Sequence, residues 1–296
     1  MTDQAIPAGP IRTRAAARPR RRPWVQHSIL PGFGLSLGIT LTYLGAIVVL
    51  PLIALAVRPW ELGLSGVWHE LSAPRVAAAL RLSFGLSALA ALLNAPLGIL
   101  LAWTLTRYEF PGRRILDALV DLPFALPTAV AGIALTALYG PHGPLGELAA
   151  RVGIKTAYSP LGIFIALVFI GLPFVVRSLQ PVLQELDHEV EEAATTLGAN
   201  SLQRAVRVIL PALAPSLISG VSLAFARAVG EYGSVVFIAG NLPGKTEIAP
   251  LLIVIKLEQY DYAGAAAVGL AMVAISFGSL VVINWLQLAL AKRGRA

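Results

Sequence analysis

An all-α membrane protein with six transmembrane helices and a cytoplasmic helix–turn–helix is the fold class this sequence predicts. Three observations carry it. Hydrophobic residues make up 56% of the 296 residues and charged ones only 13%, about half the charged share of a soluble domain. Apolar residues are gathered into uncharged runs long enough to cross a ~30 Å hydrocarbon core as helices. Between two of these runs lies the longest polar stretch, 184–211, whose apolar residues recur at three- and four-residue steps, as in an amphipathic helix.

Taken in order, residues 1–30 carry six arginines against one acid and no apolar periodicity, which predicts a basic cytoplasmic tail, disordered in water. A transit peptide is disfavoured by the scarcity of Ser and Thr. Residues 31–75 hold the first span (34–57), with Gly34 and Gly38 as a weak helix-contact motif, and an outer loop. The core, 76–290, is expected to add five spans. These are 83–105; 115–138, kinked by Pro123 and Pro127; 161–176, interrupted by Pro173; 212–239; and 262–290. Residues 291–296 form a short cytoplasmic tail. Leu251 to Ile255 are too few to cross and suit an interfacial or re-entrant piece.

Charge placement supports this topology. With both termini inside, the outer segments keep seven basic residues (Arg58, Arg75, Arg81, Arg151, Lys155, Lys245, Lys256), and nearly all the rest fall inside. That bias explains the net charge of +7 without nucleic acid as a partner. Absence of cysteine excludes disulfides, thiolate metal sites and cysteine nucleophiles.

Within 184–211, the apolar positions Leu183, Leu186, Val190, Ala193, Ala194 and Leu197 predict one helix stopped by Gly198. Ser201 is expected to cap a second, short helix that Pro211 ends. Arg227 and Glu231 stand four residues apart on the fifth span, about 24 Å past Pro211 along a helix. A charge at that depth must face protein or water. The pair is either a self-neutralising packing contact or a pathway site offering guanidinium donors to an oxyanion. Asp117 and Asp121 share a helix face and read as charges at a helix N-terminus in the headgroup region. Residues 239–246 (AGNLPGKT) nearly spell a phosphate-binding loop, but Ala239 replaces the first glycine and no strand–loop–helix context surrounds them. No H-E-x-x-H or G-x-S-x-G motif is present, so neither an enzyme nor a cofactor is expected.

Glu192-Ala193-Ala194, three residues, Gly198, nine residues and Val208-Ile209-Leu210-Pro211 together resemble the EAA loop of the membrane subunits of binding-protein-dependent ABC importers; Val208 stands where Ile is usual. The resemblance implies the type-1, MetI-like permease fold. It also implies an ATPase-docking role for Glu192, Ala193, Ala194, Gly198, Leu210 and Pro211. Residues 225–241 (FARAVGEYGSVVFIAGN) resemble the sulfate and molybdate branch, which favours a pathway role for Arg227, Gly230 and Glu231. Residues 240–268 resemble the T-type subunits of sulfate/thiosulfate importers. Implied partners are an ABC ATPase dimer, a second, W-type permease and an extracytoplasmic sulfate-binding protein. The setting implied is a bacterial cytoplasmic membrane and its lipid. Alternatives are a molybdate/tungstate permease or an ion-coupled secondary anion transporter.

Overall fold

The computed structural model describes residues 33–293; the expected tail at 1–30 and the last three residues of the 291–296 tail lie outside them. The chain divides into two compact units, one ending at Leu50 and the other beginning at Pro51.

The first unit contains α1 (Phe33–Leu44) and a wider π-helical turn, Gly45–Val49. It buries no residue, and Leu35, Ile39 and Tyr43 are all more than half exposed. A helix apolar on every side suits hydrocarbon rather than water. Gly34 and Gly38 meet no neighbour among the described residues.

The second unit begins within α2 (Leu50–Val57) and continues through a 3₁₀ turn (Arg58–Leu62) and α3 (Gly63–Ser72). Then come α4 (Pro74–Arg107), α5 (Arg113–Val120), α6 (Leu122–Ala125), α7 (Thr128–Tyr139) and α8 (Pro144–Arg151). The last part comprises α9 (Pro160–Glu185), α10 (His188–Thr196), α11 (Ser201–Arg204), α12 (Leu210–Val229), α13 (Val235–Ile238), α14 (Ala249–Glu258) and α15 (Tyr262–Arg293).

Its centre is a three-helix contact of α4, α9 and α12. Without a strong hydrophobic drive in lipid, helices associate by close backbone approach at small residues. Gly98 on α4 lies against Val175 on α9, Gly171 on α9 against Asn94 and Ala224, and Gly220 on α12 against Val175 and Ser178. Leu179, Leu183 and Leu213 extend this core toward the polar loop. A second cluster, including Ile163, Leu167, Val235 and Ile238, fills the opposite end.

Among the described residues, five helical stretches are long and apolar enough to cross a membrane: Phe33–Ser72, Pro74–Arg107, Pro160–Glu185, Ser201–Val229 and Tyr262–Ile283. The expected span 115–138 is not one kinked helix. It is cut into α5, α6 and α7, with breaks at Asp121 and at Leu126–Pro127. Pro123 and Pro127 each lack an N–H and disfavour helix in the preceding residue, so two prolines four apart divide the run. Pro173, by contrast, is buried within α9 and does not interrupt it. That helix runs nine residues past the expected end at 176, and the amphipathic helix begins at His188 instead of 184.

Pro211 does not end a short helix either. A π turn, Ala205–Ile209, carries α11 directly into α12, with Leu210 N–H donating to the Ala205 carbonyl. The expected span 212–239 stops at Val229; Gly230 to Ser234 are non-helical before α13. Leu251 to Ile255 lie inside α14, where Leu251 and Leu252 are buried.

Candidate functional site

The polar loop is a rigid pair of helices. Gly198 has φ +84°, the left-handed conformation that glycine adopts without a steric cost. Its N–H donates to the Thr195 carbonyl (2.9 Å), and Ala199 N–H donates to the Ala194 carbonyl (3.0 Å). These two bonds close the C-terminus of α10 as a Schellman motif. The next helix is capped by Asn200, one residue before the expected Ser201. Gln203 N–H donates to Asn200 Oδ1 (2.8 Å), and Asn200 N–H donates to Gln203 Oε1 (2.9 Å). This is a complete capping box. Arg204 donates to Thr195 Oγ1 (3.1 Å) across the turn.

This pair of helices presents large apolar side chains outward among exposed polar ones. Leu197 is 89% exposed and Leu202 73%, and Val190 and Val206 join them. Glu192, Ala193 and Gly198 are exposed and Ala194 half-buried; Leu210 and Pro211 are exposed at the head of α12, where Ile209 and Leu213 are buried. On the inward side, Arg107 Nη2 at the end of α4 donates to the Leu186 carbonyl (3.1 Å) and to Glu191 Oε1 (2.8 Å). The Arg107 guanidinium also lies 5.4 Å from the Trp103 ring centre, within cation–π range. The sequence reading missed this anchor, because its partners are far apart along the chain.

Asp117 and Asp121 are not free N-terminal charges. Arg177 on α9 donates through Nε (2.8 Å) and Nη2 (2.5 Å) to the two carboxylate oxygens of Asp121. It donates through Nη1 to Asp117 Oδ1 (2.8 Å) and Gln180 Oε1 (2.5 Å), and through Nη2 to the Asp117 carbonyl (3.0 Å). Gln180 Nε2 donates to Asp117 Oδ1 as well (3.1 Å). The i,i+4 spacing of the aspartates was legible; their partner was not.

Arg227 and Glu231 do come together, though α12 ends between them. Arg227 Nη1 donates to Glu231 Oε2 (2.6 Å). The other oxygen accepts from Ser234 N–H (2.9 Å) and Oγ (3.0 Å). The Glu231 side chain is 2% exposed and that of Arg227 37%, so the carboxylate is sealed in while part of the guanidinium faces outward. Gly230 is exposed beside them. The break is pressed onto α7: a Cβ on Gly233 would collide with Thr128, and one on Gly132 with the Ser234 backbone.

At the end of the core away from the polar loop, Arg75 donates to both oxygens of Glu247 (2.8 and 2.6 Å), whose side chain is fully buried. Lys256 pairs with Glu70 (2.7 Å) and Asp261 (2.8 Å). The hydrogen bond from Lys256, against the opposing effect of burial and with help from Gly264 N–H, holds the Asp261 carboxyl below the usual carboxylate range. Burial lowers the Lys256 pKa, but its bonds to Asp261 and Glu70 outweigh that and leave it raised. The loop resembling a phosphate cradle is a compact turn: the Leu242 carbonyl accepts from the N–H groups of Lys245, Thr246 and Glu247.

Residues 94–296 match the family model described as the binding-protein-dependent transport system inner membrane component. The chain belongs to this family. The permease is 47% identical over 265 residues to the sulfate transport system permease protein CysT of Salmonella typhimurium, covering 90% of this chain and 96% of that one. It is 50% identical over 249 residues to the CysT protein of Synechocystis sp., covering 84% and 87%. A bacterial ABC transporter involved in alginate import shares the fold. Its TM-score is 0.70 at 15% identity, over 86% of this chain and 94% of that chain. The family describes a membrane-embedded transport component of a system that requires a binding protein.

Proposed function

We propose that this permease is the T-type membrane subunit of an ATP-driven importer of sulfate and thiosulfate in a bacterial cytoplasmic membrane. The observation that carries this reading is the high identity, along nearly the whole chain, to proteins named as sulfate permeases. In this reading the segmented stretch from Arg113 to Tyr139 makes the sixth crossing, and both termini are cytoplasmic. The partners are two ABC ATPase subunits, a W-type permease, an extracytoplasmic sulfate-binding protein and the surrounding lipid.

The exposed Leu197, Leu202 and Val206 support a docking role for the loop, since large apolar side chains left bare on a polar loop suit burial against a partner. Glu192 contributes charge at the contact, and Ala193 and Ala194 permit close approach. Gly198 holds the turn, and Leu210 and Pro211 join it to α12. ATPase closure moves this rigid pair of helices, and α12 transmits the movement because the π turn leaves no loop between them. Further along α12, Arg227 offers its outward donors to a passing oxyanion. Glu231 balances its charge so that the anion is not trapped, and Gly230 ends the helix beside them.

The test is radiolabelled uptake in cells lacking their own T-type subunit but keeping its partners. Sulfate uptake restored by this chain, and reduced by an inserted Arg227→Ala variant, supports the reading. Uptake of molybdate but not sulfate, with molybdate's partners supplied, would move the chain to the neighbouring branch. Uptake independent of any ATPase would place it with secondary transporters instead.

A further inference from the structure

The short helices α5 and α6 have little apolar anchoring. Val120 is the one buried residue of α5, α6 buries none, and breaks bound α6 at both ends. Helices this short do not persist by themselves, so contacts with the rest of the unit must hold them. Three of those contacts are apolar: Val120 and Leu116 pack against the core that α4, α9 and α12 share, and Phe124 packs edge-on against Phe174 (ring centres 5.0 Å apart). The polar contact is the clamp of Arg177 and Gln180 on Asp117 and Asp121.

On its other side Arg177 is wired to the loop. α9 runs from Arg177 to Glu185, about 12 Å of helix, and stays helical through Pro181, which has no N–H to donate to the Arg177 carbonyl. After Leu186 and Asp187 the docking helix α10 begins. Arg107 grips both the Leu186 carbonyl and Glu191 on α10, so the junction is not a loose hinge. Displacement of α10 therefore reaches Arg177 through a junction held by Arg107 and the last two turns of α9. The clamp itself is built to open. Its side chains are 31%, 42% and 46% exposed, and ion pairs this accessible are individually weak. Once parted, the charges are resolvated, and the guanidinium fork restores a defined register on closing. Charges so exposed within a crossing face water or protein, not lipid.

We propose that Arg177 is a positioning residue of the transport cycle. It carries movement of the docking loop onto α5–α6, and the clamp opens and recloses in each turnover as α5–α6 parts from α9. This rests on reading the loop as the ATPase-docking surface.

The test uses the full complex in proteoliposomes with its ATPase, second permease and binding protein, and reads sulfate moved per ATP hydrolysed. Arg177→Gln, and Asp117→Asn with Asp121→Asn, are expected to lower that ratio about tenfold while hydrolysis continues, with Arg177→Lys recovering part of it. A purely structural role would reduce both activities in proportion to assembled complex. An unchanged ratio overturns the proposal. A second measurement exploits the absence of cysteine: Phe124→Cys with Phe174→Cys, joined by a short reducible thiol cross-linker, ties α6 to α9 without touching the clamp. Uptake should stop when cross-linked and return on reduction; uptake that continues while cross-linked refutes the opening step. Failure of the wild-type complex to take up sulfate with ATP would instead refute the function proposed above.

Discussion

Glu231 is the residue whose removal has the most calculable consequence. Glu231→Ala deletes the acceptor for three donors: Arg227 Nη1, Ser234 N–H and Ser234 Oγ. Ser234 is fully buried, so its two donors lose their partner away from water, at about 1–3 kcal/mol each. Arg227 is more than a third exposed and turns to water, so its share is discounted to under ~1 kcal/mol. The sum is roughly 3 kcal/mol. Glu231→Gln keeps an oxygen for Ser234 but sets an amide N–H₂ against Arg227, and should cost about 1 kcal/mol. Arg227→Ala leaves a buried carboxylate with no counter-charge and should cost about 3 kcal/mol. Because Arg227→Ala strands a buried carboxylate that Glu231→Ala removes, the double Ala variant should fall well short of the sum, with coupling above about 1.5 kcal/mol. Reversible unfolding of the purified permease in mixed micelles measures all four. Additivity within about 0.5 kcal/mol would refute this account of the pair.

Three further outcomes follow from the geometry. At Gly198, where φ is +84° and a Cβ meets nothing, Asn should be tolerated, Ala should cost about 1–2 kcal/mol and Val more. Co-purification of the ATPase across this series checks the order, and equal effects of Asn and Ala would count against the backbone explanation. Arg75→Ala should destabilise more than Glu247→Ala, about 3 against 1 kcal/mol, because the carboxylate is buried and the guanidinium is not; thermal unfolding decides. The depressed Asp261 pKa gives a contribution fully present above the unfolded value of ~3.9 and lost as pH falls through the lower folded value. The raised Lys256 pKa gives one present below ~10.4 and lost as pH rises past the folded value. Between these limits neither group should move the unfolding midpoint. Asp261→Asn should remove the part of the acid loss, under ~1 kcal/mol, that comes from this group.

Much of this was legible in the sequence because the signals were local. Gly198 stands where the apolar period of α10 stops, and its left-handed φ needs no knowledge of the rest of the chain. Arg227 and Glu231 were paired by spacing alone. Other features depended on partners far along the chain. Arg177 lies 56 residues from Asp121 and 60 from Asp117, and no periodicity links them, so the aspartates read as N-terminal charge. Arg107 and Glu191 are separated by 84 residues in the same way. Prolines misled in both directions. Pro173 packs inside α9 and Pro211 follows a π turn that absorbs its missing N–H, so neither ends a helix. Pro123 and Pro127, close together in a segment with little apolar burial, break the chain outright. Asn200 was passed over as a cap for Ser201, although Gln203 stands at the position a capping box requires after Asn200.

The central claim is that this permease moves sulfate only when an ATPase drives its exposed loop. The most direct measurement is sulfate entry into proteoliposomes holding the whole complex, with ATP or a non-hydrolysable analogue. Beside it belongs a complex in which Leu197 and Leu202 are both changed to Asp. The account predicts entry with ATP alone, and loss of both ATPase binding and entry in the Asp variant. Equal entry with the analogue, or a variant that transports without holding the ATPase, would contradict it.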